Sequence, residues 1–275
     1  MKGLITALGL VTSLTIGAAS AQPYPPNPMG VTMGHWHLNS ADVEASKKMF
    51  IAMGGIAGPA GPLQRVVFPG VLVILNLPGN PPAATGSTAG SVVNHVGFTV
   101  PNVQQAMAKW KAAGVPVIAG NGTNNRQDQA YVVTPDGFRI EILENKSQTV
   151  PIRHEHVHFY LPEANIPESQ AWYAKIFGAQ PGKQANGAAT DDLPGTQLRF
   201  AKVAAAQAPT KGRILDHIGF DISDLQGFIK KLDANGVKLD RPYSKNDTGV
   251  GIAFITDPWG TYIELNERPG AVYLN

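Results

Sequence analysis

The sequence predicts an α+β fold built from four copies of one strand–helix–strands unit, arranged in two pairs. Three observations predict it. First, Asp216-His217-Ile218-Gly219-Phe220, answered by Asp257-Pro258-Trp259-Gly260 and Glu264, repeats an earlier set: Asn94-His95-Val96-Gly97-Phe98, then Pro135-Asp136-Gly137 and Glu141. Second, the offsets are nearly constant: 121 for His35 to His156, 122 for His95 to His217 and for Gly114 to Gly236, 123 for Glu141 to Glu264, and 125 for Pro69 to Pro194. Third, every quarter opens with a histidine-bearing strand pattern followed by a helical one.

In chain order, Val31 to Leu38 alternates as a strand should. Asn39 and Ser40 are capping residues for a helix over Ala41 to Met53, which Gly54-Gly55 stops. Leu63 to Phe68 and Val71 to Leu77 form a hairpin through Pro69-Gly70. Residues 78 to 91 read as a flexible connector. The second unit holds a strand over Val92 to Val100, a helix over Pro101 to Ala113 and a stop at Gly114. Strands follow over Val115 to Ile118, Tyr131 to Thr134 and Phe138 to Leu143, the last two joined by the Pro135-Asp136-Gly137 turn. After a linker over 145–150, Arg153 to Leu161 is a strand and Pro167 to Phe177 a helix. Leu193-Pro194-Gly195 stands where Phe68-Pro69-Gly70 stood. Leu215 to Ile222 is a strand, Asp224 to Asn235 a helix stopped by Gly236, and Ile252 to Thr256 with Thr261 to Leu265 closes the last hairpin. The domains expected are 31–146 and 152–268, two units each.

The 275 residues are 43% apolar, enough for a substantial core, and the net charge is +2 with no basic block, which speaks against a nucleic-acid partner. Lys2, an apolar run from Leu4 to Ala18 and Ala19-Ser20-Ala21 give residues 1–21 the form of a signal peptide. The mature chain is then expected to be secreted or periplasmic, without membrane attachment, and to start with a proline-rich tether over 22–30. Cysteine is absent, which excludes disulfides and thiolate ligands and leaves N and O donors for any metal.

Histidines number seven, and His35, His37, His95, His156, His158 and His217 all lie in the four opening strands. Glu141 and Glu264 lie in closing strands between apolar neighbours. Imidazole and carboxylate on strands around one cavity are what a divalent cation needs. His37 and His158 each follow a first-strand histidine by two and share its face. They are candidates for a general base, ahead of a fourth ligand. Arg139 and Tyr262 precede the two glutamates by two and are candidates to contact substrate. Asn94 and Asp216, adjacent to histidines in strands, are expected to face away and be structural. His154 is expected to be exposed, Trp110 and Trp172 to be core, and Trp259 to rim a site.

The fourfold recurrence resembles the vicinal oxygen chelate superfamily, which includes glyoxalase I, bleomycin and fosfomycin resistance proteins and extradiol dioxygenases. The resemblance covers residues 31 to 267. It implies βαβββ modules paired into two cup-shaped glyoxalase-like domains, with ligands from first and last strands. The N-terminal cup would offer His35, His95 and Glu141; the C-terminal cup would offer His156, His217 and Glu264. The family's further acidic ligand falls near Asn76 and Ala201 here, so each set is two histidines and one carboxylate. Such a facial set suits Fe(II) or Mn(II) first, with Zn(II) or Ni(II) as further candidates. Relative to extradiol dioxygenases, Phe254 stands near the tyrosine place, and residues 244–251 hold no histidine.

Two functions follow. One is a metal-dependent enzyme that chelates vicinal oxygens of a small substrate, in glyoxalase, lyase-isomerase or dioxygenase-like chemistry. The other is a non-catalytic small-molecule binding protein of the bleomycin-resistance type. The chain is expected to be a monomer or a homodimer.

Overall fold

The computed structural model describes residues 24–58, 63–76, 84–120, 126–246 and 249–267. The expected signal peptide lies outside the described residues. Module 1 comprises β1 (Val31–Leu38), α1 (Val43–Met53), β2 (Ile56–Ala57), β3 (Gln64–Phe68) and β4 (Val71–Leu75). Module 2 comprises β5 (Val93–Val100), α2 (Val103–Ala112), β6 (Val117–Ala119), β7 (Gln129–Val133) and β8 (Arg139–Glu144). Module 3 comprises β9 (Arg153–Pro162), α3 (Ile166–Phe177), β10 (Gln180–Lys183), β11 (Ala189–Leu193) and β12 (Thr196–Val203). Module 4 comprises β13 (Leu215–Ile222), α4 (Leu225–Ala234), β14 (Arg241–Lys245), β15 (Gly251–Thr256) and β16 (Tyr262–Glu267). Each is βαβββ, as the resemblance implies.

Local chemistry sets the element ends. The side chains of Asp42, Asn102 and Asp224 accept the third backbone N–H of α1, α2 and α4, so the α1 cap is Asp42 rather than Asn39 or Ser40. Gly54 (φ 114°) and Gly178 (φ 71°) end α1 and α3 in the left-handed region. Strands β2, β10 and β14 are not apparent in the sequence. β2 is two residues long, and β10 and β14 each carry a proline; all three lie at or next to a sheet edge, where a short, weakly apolar run suffices.

The pairing of modules is the main departure from the sequence reading. One eight-stranded sheet runs β14-β15-β16-β13-β1-β4-β3-β2, and the other β10-β11-β12-β9-β5-β8-β7-β6. Module 1 therefore pairs with module 4 through antiparallel β1 and β13, and module 2 with module 3 through β5 and β9. Constant offsets report which modules are alike. They carry no information on which first strands hydrogen-bond, because that choice is made by contacts far apart in sequence.

The two sheets share one core. Trp36 of β1 packs on Phe98 of β5 at 5.2 Å and on His154 of β9 at 4.9 Å, while Phe177 of α3 packs on Phe220 of β13 at 4.8 Å. His35 and His37, next to Trp36 in β1, face the opposite side, where each sheet forms its cup. The stretch read as a tether is in part docked: Asn27 Nδ2 donates to the carbonyls of Phe177 and Gly178. The stretch read as a flexible connector is anchored within 84–91, where Thr88 and Ser91 are buried; part of it, 78–83, lies outside the described residues.

Candidate metal centres

The register of the two central strand pairs explains how the histidines are aimed. Each pair is interrupted twice, at Gly34 and Asp216 between β1 and β13, and at Asn94 and Glu155 between β5 and β9. Each interruption is a one-residue bulge, and each bulged residue immediately precedes a first-strand histidine. A bulge breaks the alternation of faces. A side chain at the bulge can therefore lie on the same side as its neighbour. Asp216 Oδ1 accepts from His217 Nδ1 at 2.6 Å, Glu155 Oε2 from His156 Nδ1 at 2.5 Å, and Asn94 Oδ1 lies 3.0 Å from His95 Nδ1. Asn94 and Asp216 are thus not turned away, as strict alternation had implied. They hold the rings so that each Nε2 points inward.

The fourth bulged residue is Gly34, where a Cβ would lie 2.7 Å from Asp221 Oδ1. Two further glycines make room for the rings. A Cβ on Gly219 would sit 2.0 Å from the His35 ring, and one on Gly97 would sit 2.0 Å from the His156 ring. The His-x-Gly pattern of β5 and β13 is therefore a seat for the partner module's histidine.

The six ligand candidates converge as two sets, sorted by the sheets and not by the halves. In the module 1/4 cup, Glu264 Oε2 lies 3.2 Å from His35 Nε2 and 2.9 Å from His217 Nε2. In the module 2/3 cup, Glu141 Oε2 lies 3.3 Å from His95 Nε2 and 3.2 Å from His156 Nε2, without the alignment of a hydrogen bond to the latter. The expected grouping of His35 with His95, and of His156 with His217, is corrected accordingly. The donor set fits a divalent cation: buried imidazole nitrogens and a carboxylate oxygen lie within 4.8 Å of one another in each cup, and His158 joins the second group.

The electrostatics match. Burial alone would push both glutamates up, yet His156 and His95 hold Glu141 far below the usual range, and His35 and His217 do the same for Glu264. Burial, only partly opposed by Glu141, lowers His95 to about 4. Burial followed by the charge of His217 lowers His37 to about 4. His158 is pushed well down by burial and by His95 and His156. His217 goes the other way: burial is outweighed by hydrogen bonds to Asp216 and Glu264.

His154 is buried at 2%, not exposed. The bulge at Glu155 turns it to the core face, where it bonds the Gly97 carbonyl and Thr196. Burial lowers it to about 3. Trp110 is core, as expected. Trp172, expected to be core, is half-buried against the core; it meets the half-buried Trp259 at 6.2 Å on the helix side, so Trp259 does not rim a cup.

The comparisons with known proteins agree with this architecture. Residues 156–265 match the model of the Glyoxalase/Bleomycin resistance protein/Dioxygenase superfamily. That match covers less than half of the chain, and over it the chain is similar to the superfamily. Glyoxalase I from Zea mays superimposes with a TM-score of 0.68 at 15% identity, covering 86% of this chain and 92% of the maize chain. A putative dioxygenase from Bacillus subtilis subsp. subtilis str. 168 gives 0.61 at 13% identity, covering 86% and 85%. At such identities the likeness is one of fold. No curated protein matches the sequence.

For the further acidic position that the resemblance implies, the register gives a different place. Gly219 pairs with Glu264 and Gly97 with Glu141. The equivalent residues His37 and His158 pair with Ile74 and Arg199. The absent carboxylates thus fall at Ile74 and Arg199 rather than at Asn76 and Ala201. Asn76 instead accepts from His37 Nε2 at 2.8 Å, and Arg199 bonds Glu155.

The cups also differ in lining. In the 1/4 cup, Leu72, Ile74 and Val67 form one wing, and Ile252, Phe254 and Tyr262 the other. Tyr262 stacks on Phe254 at 5.0 Å, with Lys211 Nζ 4.3 Å from its ring centre. In the 2/3 cup, Gln129 donates to Glu141 Oε1, Tyr131 OH lies 3.5 Å from His95 Nε2, and Arg139 lies 5.2 Å from the Tyr131 ring centre. Of these, Tyr262 and Phe254 were marked in the sequence; Gln129, Tyr131 and the aliphatic wing residues were not, and Gln129 lies before the strand read over Tyr131 to Thr134.

Proposed function

We propose that this protein is a divalent-metal-dependent enzyme that binds a small substrate through vicinal oxygens in the 1/4 cup, in lyase-isomerase or dioxygenase-like chemistry. The observation that carries the reading is the buried convergence of His35, His217 and Glu264 beneath two apolar wings. Fe(II) or Mn(II) suits two imidazoles and one carboxylate best, with Zn(II) or Ni(II) as alternatives. A bound cation would supply Lewis acidity toward a substrate oxygen. The chain's own residues do the rest. Asp216 orients His217, and the Phe254–Tyr262 stack with Leu72 and Ile74 excludes water and positions an apolar substrate body. His37, neutral at pH 7 and 4.7 Å from the His217 ring centre, is placed to accept a proton from bound substrate. In the 2/3 cup the duplicated candidate His158 is turned toward His95, and Arg139 lies beside Tyr131. That cup is polar and self-engaged. Export through residues 1–21 is part of the same proposal.

The test is metal content of protein purified without chelator or histidine tag, followed by screening of 2-oxo compounds and aromatic diols with the loaded protein. Two metal equivalents and a turnover lost on Glu264→Ala would support the enzyme. No uptake of Fe(II), Mn(II), Zn(II) or Ni(II) would overturn it and leave the apolar 1/4 cup as the pocket of a small-molecule binding protein.

A further inference from the structure

The duplication places His37 and His158 in equivalent positions. Each follows a first-strand histidine by two, and each sits opposite the partner module's histidine, His37 against His217 and His158 against His95. Their surroundings diverge. His37 is pinned sideways: its Nε2 is 2.8 Å from Asn76 Oδ1, and Asn76 Nδ2 in turn donates to Asn39 Oδ1 at 2.9 Å. The residue in the place of Asn76 in module 3 is Ala201, which has no group to hold an imidazole. His158 Nδ1 instead lies 3.0 Å from His95 Nε2, the nitrogen that also approaches Glu141 Oε2. With His95 Nδ1 facing Asn94 Oδ1, that Nε2 is the lone-pair nitrogen of a neutral ring. Two readings of the 3.0 Å approach exist: an N–H of His158 bonding His95, or two lone pairs converging on one cation. The second accounts for Glu141 and His156 meeting at the same point.

We infer that His158 is a fourth ligand of the module 2/3 centre, bound through Nδ1, so that the two centres differ in kind. His95, His156, His158 and Glu141 would enclose a cation with protein donors alone. His35, His217 and Glu264 would leave positions for substrate. Four protein donors mark structural zinc sites, and three with an open position mark catalytic ones. The inference deepens the proposed function and rests on it, because it assigns substrate chemistry to the 1/4 cup and a structural role to the other.

The experiment is a long-range nitrogen–proton correlation spectrum of histidine-labelled full-length protein loaded with Zn(II), in which a metal-bound imidazole nitrogen is distinguished from a free or protonated one. Five of the seven histidines are expected to carry a metal-bound nitrogen, with His158 bound through Nδ1 and His37 and His154 free of metal. Four bound histidines, with His158 metal-free, would overturn the inference while leaving the metal reading intact. A wild-type protein that takes up no zinc would remove both. The wild-type spectrum decides without a variant. In support, His158→Gln is expected to weaken one zinc equivalent by at least about 10-fold in chelator competition, and His37→Gln to weaken neither. Equal zinc affinity in wild type and His158→Gln would count against the inference.

Discussion

At the residue scale, the aiming of the histidines depends on the groups behind them. Asp216 is a carboxylate and Asn94 a neutral amide, though they occupy duplicated bulges. The removal of the acceptor by Asp216→Ala is expected to weaken metal at the 1/4 centre by about 10- to 100-fold, the usual effect of losing a partner behind a ligating imidazole, with an unchanged circular dichroism spectrum. Isothermal titration with Mn(II) checks it; unchanged affinity would show that Asp216 orients nothing. A separate residue-level prediction concerns Asp191 of β11. Burial, opposed by a hydrogen bond from Gln170 and supported by the charge of Asp192, raises its carboxyl to about 7. A carboxyl raised in the folded state contributes stability that is present at pH below about 4 and is lost as pH rises through about 7. Asp191→Asn should therefore melt higher than wild type at pH 8, and the gain should vanish near pH 4. A gain independent of pH would contradict the assignment.

At the scale of elements, the His-x-Gly seat ties β5 and β13 to the partner module. Gly219→Ala places a methyl group 2.0 Å from the His35 ring and should displace it. The expected result is loss of the 1/4 metal equivalent with the 2/3 equivalent retained; Gly97→Ala should do the reverse. Retention of both equivalents in both variants would show that the strands adjust freely. The first strands, the helices and the closing hairpins were legible because their apolar periods are strong. The roles of Asn94, Asp216 and His154 were not. Alternation assigns faces only in an unbroken ladder, and a bulge leaves no mark in hydrophobic pattern. The edge strands β10 and β14 were hidden by their prolines and polar side chains.

At the scale of the whole molecule, the chain folds back on itself, module 1 on 4 and module 2 on 3. The linker over 145–150 joins two modules of different halves while the sheets cross between those halves. A protease nick there should leave the halves associated on size-exclusion chromatography until denaturant is added, because each half would otherwise expose the unpaired strands β1 and β5 or β9 and β13. Two folded fragments that separate in buffer would contradict this. Sequence offsets gave the number of modules and the identity of the six ligand candidates, but not their partners. His35 looks equally fit to join His95 or His217 until β1 is seen to pair with β13.

That partnership is the central claim, and double substitutions test it most directly. Metal content by inductively coupled plasma mass spectrometry would be measured on His35→Ala/His217→Ala and on His35→Ala/His95→Ala. The account predicts that the first variant keeps one equivalent, because both losses fall in one cup, and that the second keeps none. The opposite outcome, with metal lost entirely from the first variant and half retained in the second, would contradict the pairing.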